Sequence, residues 1–250
     1  MKVSIITSTY NSEKFLLSSI ESINNQTYFD IEHIFIDGLS KDNTLNIINK
    51  KSIYKKHLVS EKDEGIYDAL NKGLKLATGD IIGIIHSDDF IANNDIIKTV
   101  VNTFNSDPNI GIVYGDLHYI SQINVNRIIR KWKSSKFKTL NIYKGWMPPH
   151  PTVFIKKSLY DMYGGFDIKY KISADYDLMI RYFKKLDFKK VYIPKTFVKM
   201  RIGGESNKNL FKIMKKSQED YQIMKNHNFK SPIKSIFFKN FSKLKQFNNK

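Results

Sequence analysis

The chain has 250 residues, 41% hydrophobic and 13% aromatic, enough to bury a sizeable core and unlike a disordered polymer. It contains no cysteine, which excludes disulfides and thiolate chemistry and suits a reducing cytoplasm, while a formal net charge of +17 demands an anionic partner: nucleic acid, anionic lipid or a phosphorylated small molecule. The first apolar stretch breaks at Thr7, too early for a signal peptide, and the longest later run, Ile81 to Ile85, is far short of the ~20 residues of a spanning helix, so no membrane span is expected.

Val3 to Ser8 reads as a buried strand. Asn11 or Ser12 can cap a following helix whose apolar face is Leu16, Ile20 and Ile23. Ile31 to Ile36 is the next strand, with a helix after Ser40, and His57 to Ser60 a third. Ile66, Leu70 and Leu74 recur every four residues, an amphipathic helix stopped near Gly79. Ile81 to Ile85 is a fourth strand, Ile96 to Phe104 a helix and Ile110 to Tyr114 a strand. From about residue 121 the pattern loosens: a proline-rich loop, "GWMPPHPT", a helix from Ala174 to Lys185, then strands at Lys190–Ile193 and Phe197–Ile202.

Strand and helix taking turns predicts an α/β fold, a mostly parallel, Rossmann-like sheet flanked by helices, whose ligand lies beyond the carboxyl ends of the strands. The polar clusters "TSTYNS", "DGLSKDNT", "SEKDEG" and "HSDD" follow strands one to four in turn. Any one of them would serve as a helix cap; four converging at one edge predict a site. Neither G-x-G-x-x-G nor a P-loop is present, so phosphate must be held in another way. In "GIIHSDDF", Asp88 and Asp89 are adjacent carboxylates at the end of an apolar run, a costly pair unless a cation attends them. A hard divalent ion bridging to phosphate oxygens answers that, and a helix cap (Asp89) with a lysine pair (Asp88) is the plainer alternative.

The segments "VSIITSTYNSEKFLLSSIESINNQT", "IDGLSKDNT", "DEGIYDALNKGLKLATGDIIGIIHSDD" and "ADYDLMIR", in that order, resemble the family 2 glycosyltransferases over roughly residues 1 to 205. The resemblance implies the A-type glycosyltransferase fold: a nucleotide-sugar-binding half over 1–120, an acceptor-binding half over 121–205, and a basic helical extension over 206–250. It further implies a nucleotide-diphosphate sugar donor, uridine diphosphate by family frequency, Mg²⁺ or Mn²⁺, and inversion at the anomeric carbon. By position, Thr7, Thr9 and Tyr10 would line the nucleotide pocket, Asp37 would meet base or ribose, and Asp63 would stand near the base. Asp88 takes the last place of the family's D-x-D and would bind the metal, with Asp89 beside it. The first place is His86, which would face the ribose. Gly38 replaces a frequent second aspartate. Ala174-Asp175 stands where the family writes Glu-Asp, leaving Asp175 as the catalytic base; Asp177, two residues along the helix, points elsewhere.

His150, in "PPHPT", could touch acceptor or diphosphate or simply pack its loop. Arg201, with Gly203 and Gly204 after it, could clamp phosphate or make a surface salt bridge. Residues 208 to 250 carry eleven lysines against only Glu219 and Asp220, and Ile233, Phe237, Phe241 and Leu244 form one helical stripe among them. Such a basic amphipathic helix either meets an anionic membrane, at the inner face of the cell membrane for a lipid-linked acceptor, or docks on the protein itself. The rival to a saccharide- or lipid-modifying enzyme is a degenerate transferase fold that binds polyanion or anionic membrane without catalysis. No nucleic-acid module is recognisable.

Overall fold

The computed structural model describes residues 1–203, 210–244 and 246. In chain order the elements are β1 (Val3–Thr9), α1 (Glu13–Asn24), β2 (Ile31–Asp37), α2 (Thr44–Lys51), β3 (Lys55–Ser60), α3 (Ile66–Leu76), β4 (Ile81–Ile84), β5 (Phe90–Ile91), α4 (Ile96–Ser106), β6 (Ile110–Ile120), β7 (Ile128–Trp132), α5 (Thr139–Ile142), β8 (Phe154–Lys156), α6 (Lys157–Tyr163), α7 (Ala174–Phe183), β9 (Lys189–Arg201), α8 (Leu210–Asn226) and α9 (Pro232–Leu244). A 3-10 turn, His150–Thr152, precedes β8.

One sheet runs through the molecule in the order β3-β2-β1-β4-β8-β6-β9-β5, with β7 on β6. β3, β2, β1 and β4 are parallel, as the alternation of strand and helix requires. Beyond β4 the sheet is mixed rather than parallel: β8 is antiparallel to both β4 and β6, and β9 runs parallel to β6. The two strands expected at 190–193 and 197–202 are one, β9, with Pro194 at a register shift between the Tyr114–Tyr192 and Asp116–Thr196 pairs. A bulge tolerates a residue without an N–H where a regular ladder does not.

Both sheet faces are covered. Ile6, Ile34, Ile36 and Leu70 share a core with Tyr114, Tyr176, Phe183, Ile223 and Met224. Val3, Ile5, Ile97, Val100 and Phe104 pack on the opposite face with Val113 and Phe197. Ile223 and Met224 belong to α8, so that helix completes the main core instead of trailing from it. α9 is fastened as well: Lys239 pairs with Asp220 at 2.7 Å, both nearly buried, and its Nζ stands 3.4 Å from the Tyr176 ring centroid. Among the described residues, no helix is long and apolar enough to cross a membrane.

Candidate active site

The loops leaving β1 to β4 interlock. Gly38 N–H donates to Thr9 O at 2.9 Å, Asn11 N–H to Ser40 Oγ at 2.8 Å, and Glu61 N–H to Asp37 O at 2.9 Å. Ser12 sits at the N-cap of α1, but its hydroxyl reaches Ser87 Oγ at 3.0 Å rather than capping the helix, joining the first loop to the fourth.

Thr7, Thr9 and Asp37, expected at the nucleotide pocket, are buried and hydrogen-bonded within the protein. Thr7 is buried, with Oγ1 donating to Ile85 O at 2.8 Å and lying 2.9 Å from His33 Nε2. Asp37 is buried too: Oδ1 accepts from Thr9 Oγ1 at 2.9 Å, and Oδ2 from Ser40 N–H at 2.9 Å and Ser60 Oγ at 2.7 Å. Burial alone would raise this carboxyl, but the hydrogen bonds from Ser40, Ser60 and Thr9 outweigh it and hold it below the usual range. Asp37 thus buckles three strand ends together. The accessible groups at this mouth are Tyr10, 65% exposed, and Asp63. Gly38 lies between them: a Cβ there would stand 2.8 Å from Asp63 Oδ2 and 3.5 Å from the Tyr10 ring. A side chain at position 38 would displace the Asp63 carboxylate.

The adjacent carboxylates after β4 are separated by the fold. Asp89 is buried, with Oδ1 accepting from Arg201 N–H at 3.2 Å and Oδ2 without a partner. Burial, then the charge of Asp88, push its carboxyl well above the ordinary range. Asp88 is half-buried. Arg201 is neither a surface salt bridge nor an open phosphate clamp. It is 5% exposed, flanked by Phe15 and Phe90, and donates to Asp88 O at 2.5 Å and Ser18 Oγ at 3.0 Å. Its work is to fix the Asp88–Asp89 turn. Gly203 follows at φ 99, and Gly204 lies outside the described residues.

Opposite that turn stands Asp175, in the first turn of α7. His150 Nδ1 is 3.1 Å from its Oδ2, and Tyr67 OH, from α3, is 3.1 Å from Oδ1. Burial would raise this carboxyl; the His150 imidazole, helped by Lys216 and Lys239, overcomes that and holds it well below the usual range. The other face of His150 meets His86, Nε2 to Nε2 at 2.9 Å, and burial, with His150 adding to it, pushes His86 down to about 3. A chain of side chains therefore links the β4 exit to the acid: His86, His150, Asp175, Tyr67. Glu219 of α8 braces the start of α7, accepting from the N–H groups of Lys171, Ile172 and Ser173 at 3.1, 2.9 and 2.9 Å. Asp177 points away, to Arg181 Nε at 2.7 Å and His227 Nε2 at 2.9 Å.

Sequence reasoning had no hold on Tyr67, read only within a helix, or on Glu219, counted only as a tail acid. Among the described residues no group of three or more His, Cys, Asp or Glu side chains is gathered around a metal position. Asp88 is the candidate ligand, since His86 and His150 are taken up with each other, and an ion here would draw its remaining oxygens from a phosphorylated ligand and water.

The family model described as Glycosyl transferase family 2 matches residues 4–162. A PGL/p-HBAD biosynthesis glycosyltransferase from Mycobacterium bovis (strain BCG / Pasteur 1173P2) is 29% identical over 183 residues, covering 72% of this chain and 69% of that protein. An uncharacterised glycosyltransferase of Methanocaldococcus jannaschii is 29% identical over 247 residues, covering 94% and 83%. Among solved structures, S. aureus TarS in complex with UDP-GlcNAc superposes with TM-score 0.69 at 22% identity, covering 90% of this chain and 64% of that one. The mannosyltransferase PcManGT of Pyrobaculum calidifontis, in complex with GDP-Man and Mn²⁺, gives TM-score 0.66 at 19% identity, covering 96% and 68%. These likenesses show the A-type glycosyltransferase fold.

Proposed function

Because this chain belongs to glycosyl transferase family 2 and is a glycosyltransferase by that membership, we propose that it moves a sugar from a nucleotide-diphosphate donor, a UDP-sugar, to a hydroxyl of a saccharide or lipid-linked acceptor with inversion. The observation that carries the reading is Asp175: an ionised, half-enclosed carboxylate at the head of α7, joined through His150 to the β4 exit. Residues 1–120 form the donor half, since Tyr10, Asp63 and Asp88 all stand at its strand ends, and 121–205 the acceptor half, which brings Asp175. The donor complexes of the two structural neighbours support a nucleotide-sugar here.

Asp175 takes the proton of the acceptor hydroxyl as that oxygen attacks the anomeric carbon on the face opposite the departing diphosphate. His150 and Tyr67 hold the carboxylate for this, one at each oxygen. Tyr10 and Asp63 frame the base, and the turn fixed by Arg201 presents Asp88. A divalent ion at Asp88, Mg²⁺ or Mn²⁺, would supply charge stabilisation to the leaving diphosphate. Asp175→Asn keeps shape and removes basicity. Nucleotide release in the presence of a working acceptor should fall about a hundredfold or more, with donor affinity unchanged; activity near the parent's would reduce Asp175 to a helix-start acid stabilised by the dipole.

α9 gives a second element of the reading. Its inner face, with Ser235 and Lys239, is docked, while Ile233, Phe237, Phe238 and Phe241 are all more than half exposed. Lys234 lies on that outer face by helical position, and Lys230 just ahead of the helix. The inferred occupant is an anionic lipid surface, because a second copy would set these lysines against each other, whereas phospholipid headgroups neutralise them and the rings enter the interface. The side chain of Leu244 lies outside the described residues.

A further inference from the structure

We propose that Lys199, His118 and Lys131 form a phosphate-binding row across β9, β6 and β7, and that the acceptor is a saccharide carrying phosphate. The inference rests on the transferase reading above and goes further by naming the chemical class of the acceptor.

Strand register sets the row. His118 of β6 lies directly opposite Lys199 of β9 on one side and Lys131 of β7 on the other. Directly opposed residues share a sheet face, so the three side chains leave one surface, with the two lysine strands about 10 Å apart and the ring between them. Two ammonium groups held on either side of one ring repel each other and favour an anion between them. Among the described residues, no carboxylate pairs with Lys131, Lys199 or the neighbouring Lys133. Asp116, two residues before His118, is engaged elsewhere: its Oδ1 accepts from Ser134 N–H at 2.7 Å and Tyr192 OH at 2.8 Å. Residues 117 to 160 contain nine Lys or Arg and no Asp or Glu, so that stretch supplies no acid.

The centre of the row is a donor. Thr196 Oγ1 stands 3.2 Å from His118 Nε2. With that hydroxyl donating, the ring hydrogen lies on Nδ1 and can meet an oxygen between the two lysines. Burial, then Lys131, joined by Lys199 and Lys133, holds His118 below its ordinary range against the opposing pull of Asp116. A bound phosphate brings negative charge and raises it, so binding is readable at the ring itself. Place connects the row to the reaction. Lys199 is two residues before Arg201, which fixes the Asp88 turn, and its Nζ is 5.8 Å from the ring centroid of Phe90, the residue after Asp89. The row therefore begins beside the turn assigned to the donor diphosphate and runs outward over β6 to β7, into the half assigned to the acceptor.

The test is histidine NMR of the full chain at pH 7.5, with His118→Gln identifying the resonance. Glucose 6-phosphate should move that resonance saturably and raise the His118 pKa by about 0.5 or more, while glucose moves nothing. Lys131→Gln and Lys199→Gln should each weaken the response about fivefold or more. The shift is read on the parent, so a variant that fails to fold does not remove the test. UDP titrated into the same samples reports the donor site separately. A parent that binds UDP but shows no saturable shift at His118, or the same shift in both lysine variants, would overturn the inference and leave the donor reading standing. Phosphatidylglycerol vesicles that move the His118 resonance where glucose 6-phosphate does not would give the row to a membrane and overturn it equally. No UDP binding beside an intact His118 response would overturn the donor reading and keep the row as a phosphate site.

Discussion

Glu219 Oε2 accepts the backbone N–H of Ser173 at 2.9 Å, so an acid on α8 closes the open end of the helix that carries Asp175. The first N–H groups of a helix have no partner within it, and here a carboxylate 46 residues further along the chain supplies one. Glu219→Ala should cost about 1–3 kcal/mol, the scale for orphaning buried donors. It should also lower turnover by loosening Asp175 while leaving UDP affinity within about twofold. Thermal unfolding and calorimetry check both; a loss confined to UDP affinity would place Glu219 on the donor side.

Asp88→Asn keeps the hydrogen bond that fixes the turn, because Arg201 donates it to the Asp88 carbonyl. The midpoint of thermal unfolding should stay within ~2 °C, while Mn²⁺-dependent UDP binding weakens tenfold or more, as expected when an ion loses a carboxylate ligand. Equal affinity in variant and parent would remove Asp88 from the metal.

Acid should destabilise the fold in two stages. Burial pushes His33 down to about 3, so between pH ~6.5 and about 3 the unfolded chain takes up a proton that the folded chain refuses, and stability falls as pH falls, by roughly 1.4 kcal/mol per unit. Burial would raise Glu32, but Lys2, Ser4 and Thr78 outweigh it and hold the carboxyl at about 2. Its contribution is complete above pH ~4.5 and is lost as pH drops through about 2. Denaturant unfolding at pH 7, 6, 5, 4, 3 and 2 checks this. His86, pushed down to about 3 as well, adds a slope of the same sign, so His33→Gln should reduce the first stage by His33's share and leave the second; an unchanged slope would clear His33.

The outer face of α9 should carry vesicle binding. Phe237→Ser together with Phe241→Ser should lower sedimentation with phosphatidylglycerol vesicles tenfold or more and leave thermal stability intact, since both rings are more than half exposed. Self-association of the parent that the double variant abolishes, with no vesicle binding in either, would assign the face to a second copy.

The four strand-end clusters and the parallel β3-β2-β1-β4 ladder were legible in the residues, because a parallel sheet buries whole strands and delivers each polar loop to the same edge. The mixed half was not legible. β8 has three residues and β5 two, too few for any period, and their identity as strands comes from β6 and β9 alongside them. Motif position brought Tyr10, Asp63, Asp88 and Asp175 to notice, but residue type could not tell which polar groups face a ligand. Thr7, Thr9 and Asp37 share their strands with the site and yet are turned inward, where neighbouring strands satisfy them. The sequence by itself determined the composition of the site edge, since local pattern and strand order suffice for that. Only tertiary structure decided that Asp89 is buried and Asp88 is not, that Arg201 arrives beneath them from β9, and that His150 stands between His86 and Asp175. Those relations join residues 25 to 113 positions apart, and nothing in a local stretch of chain encodes a contact whose partner is brought by a different element.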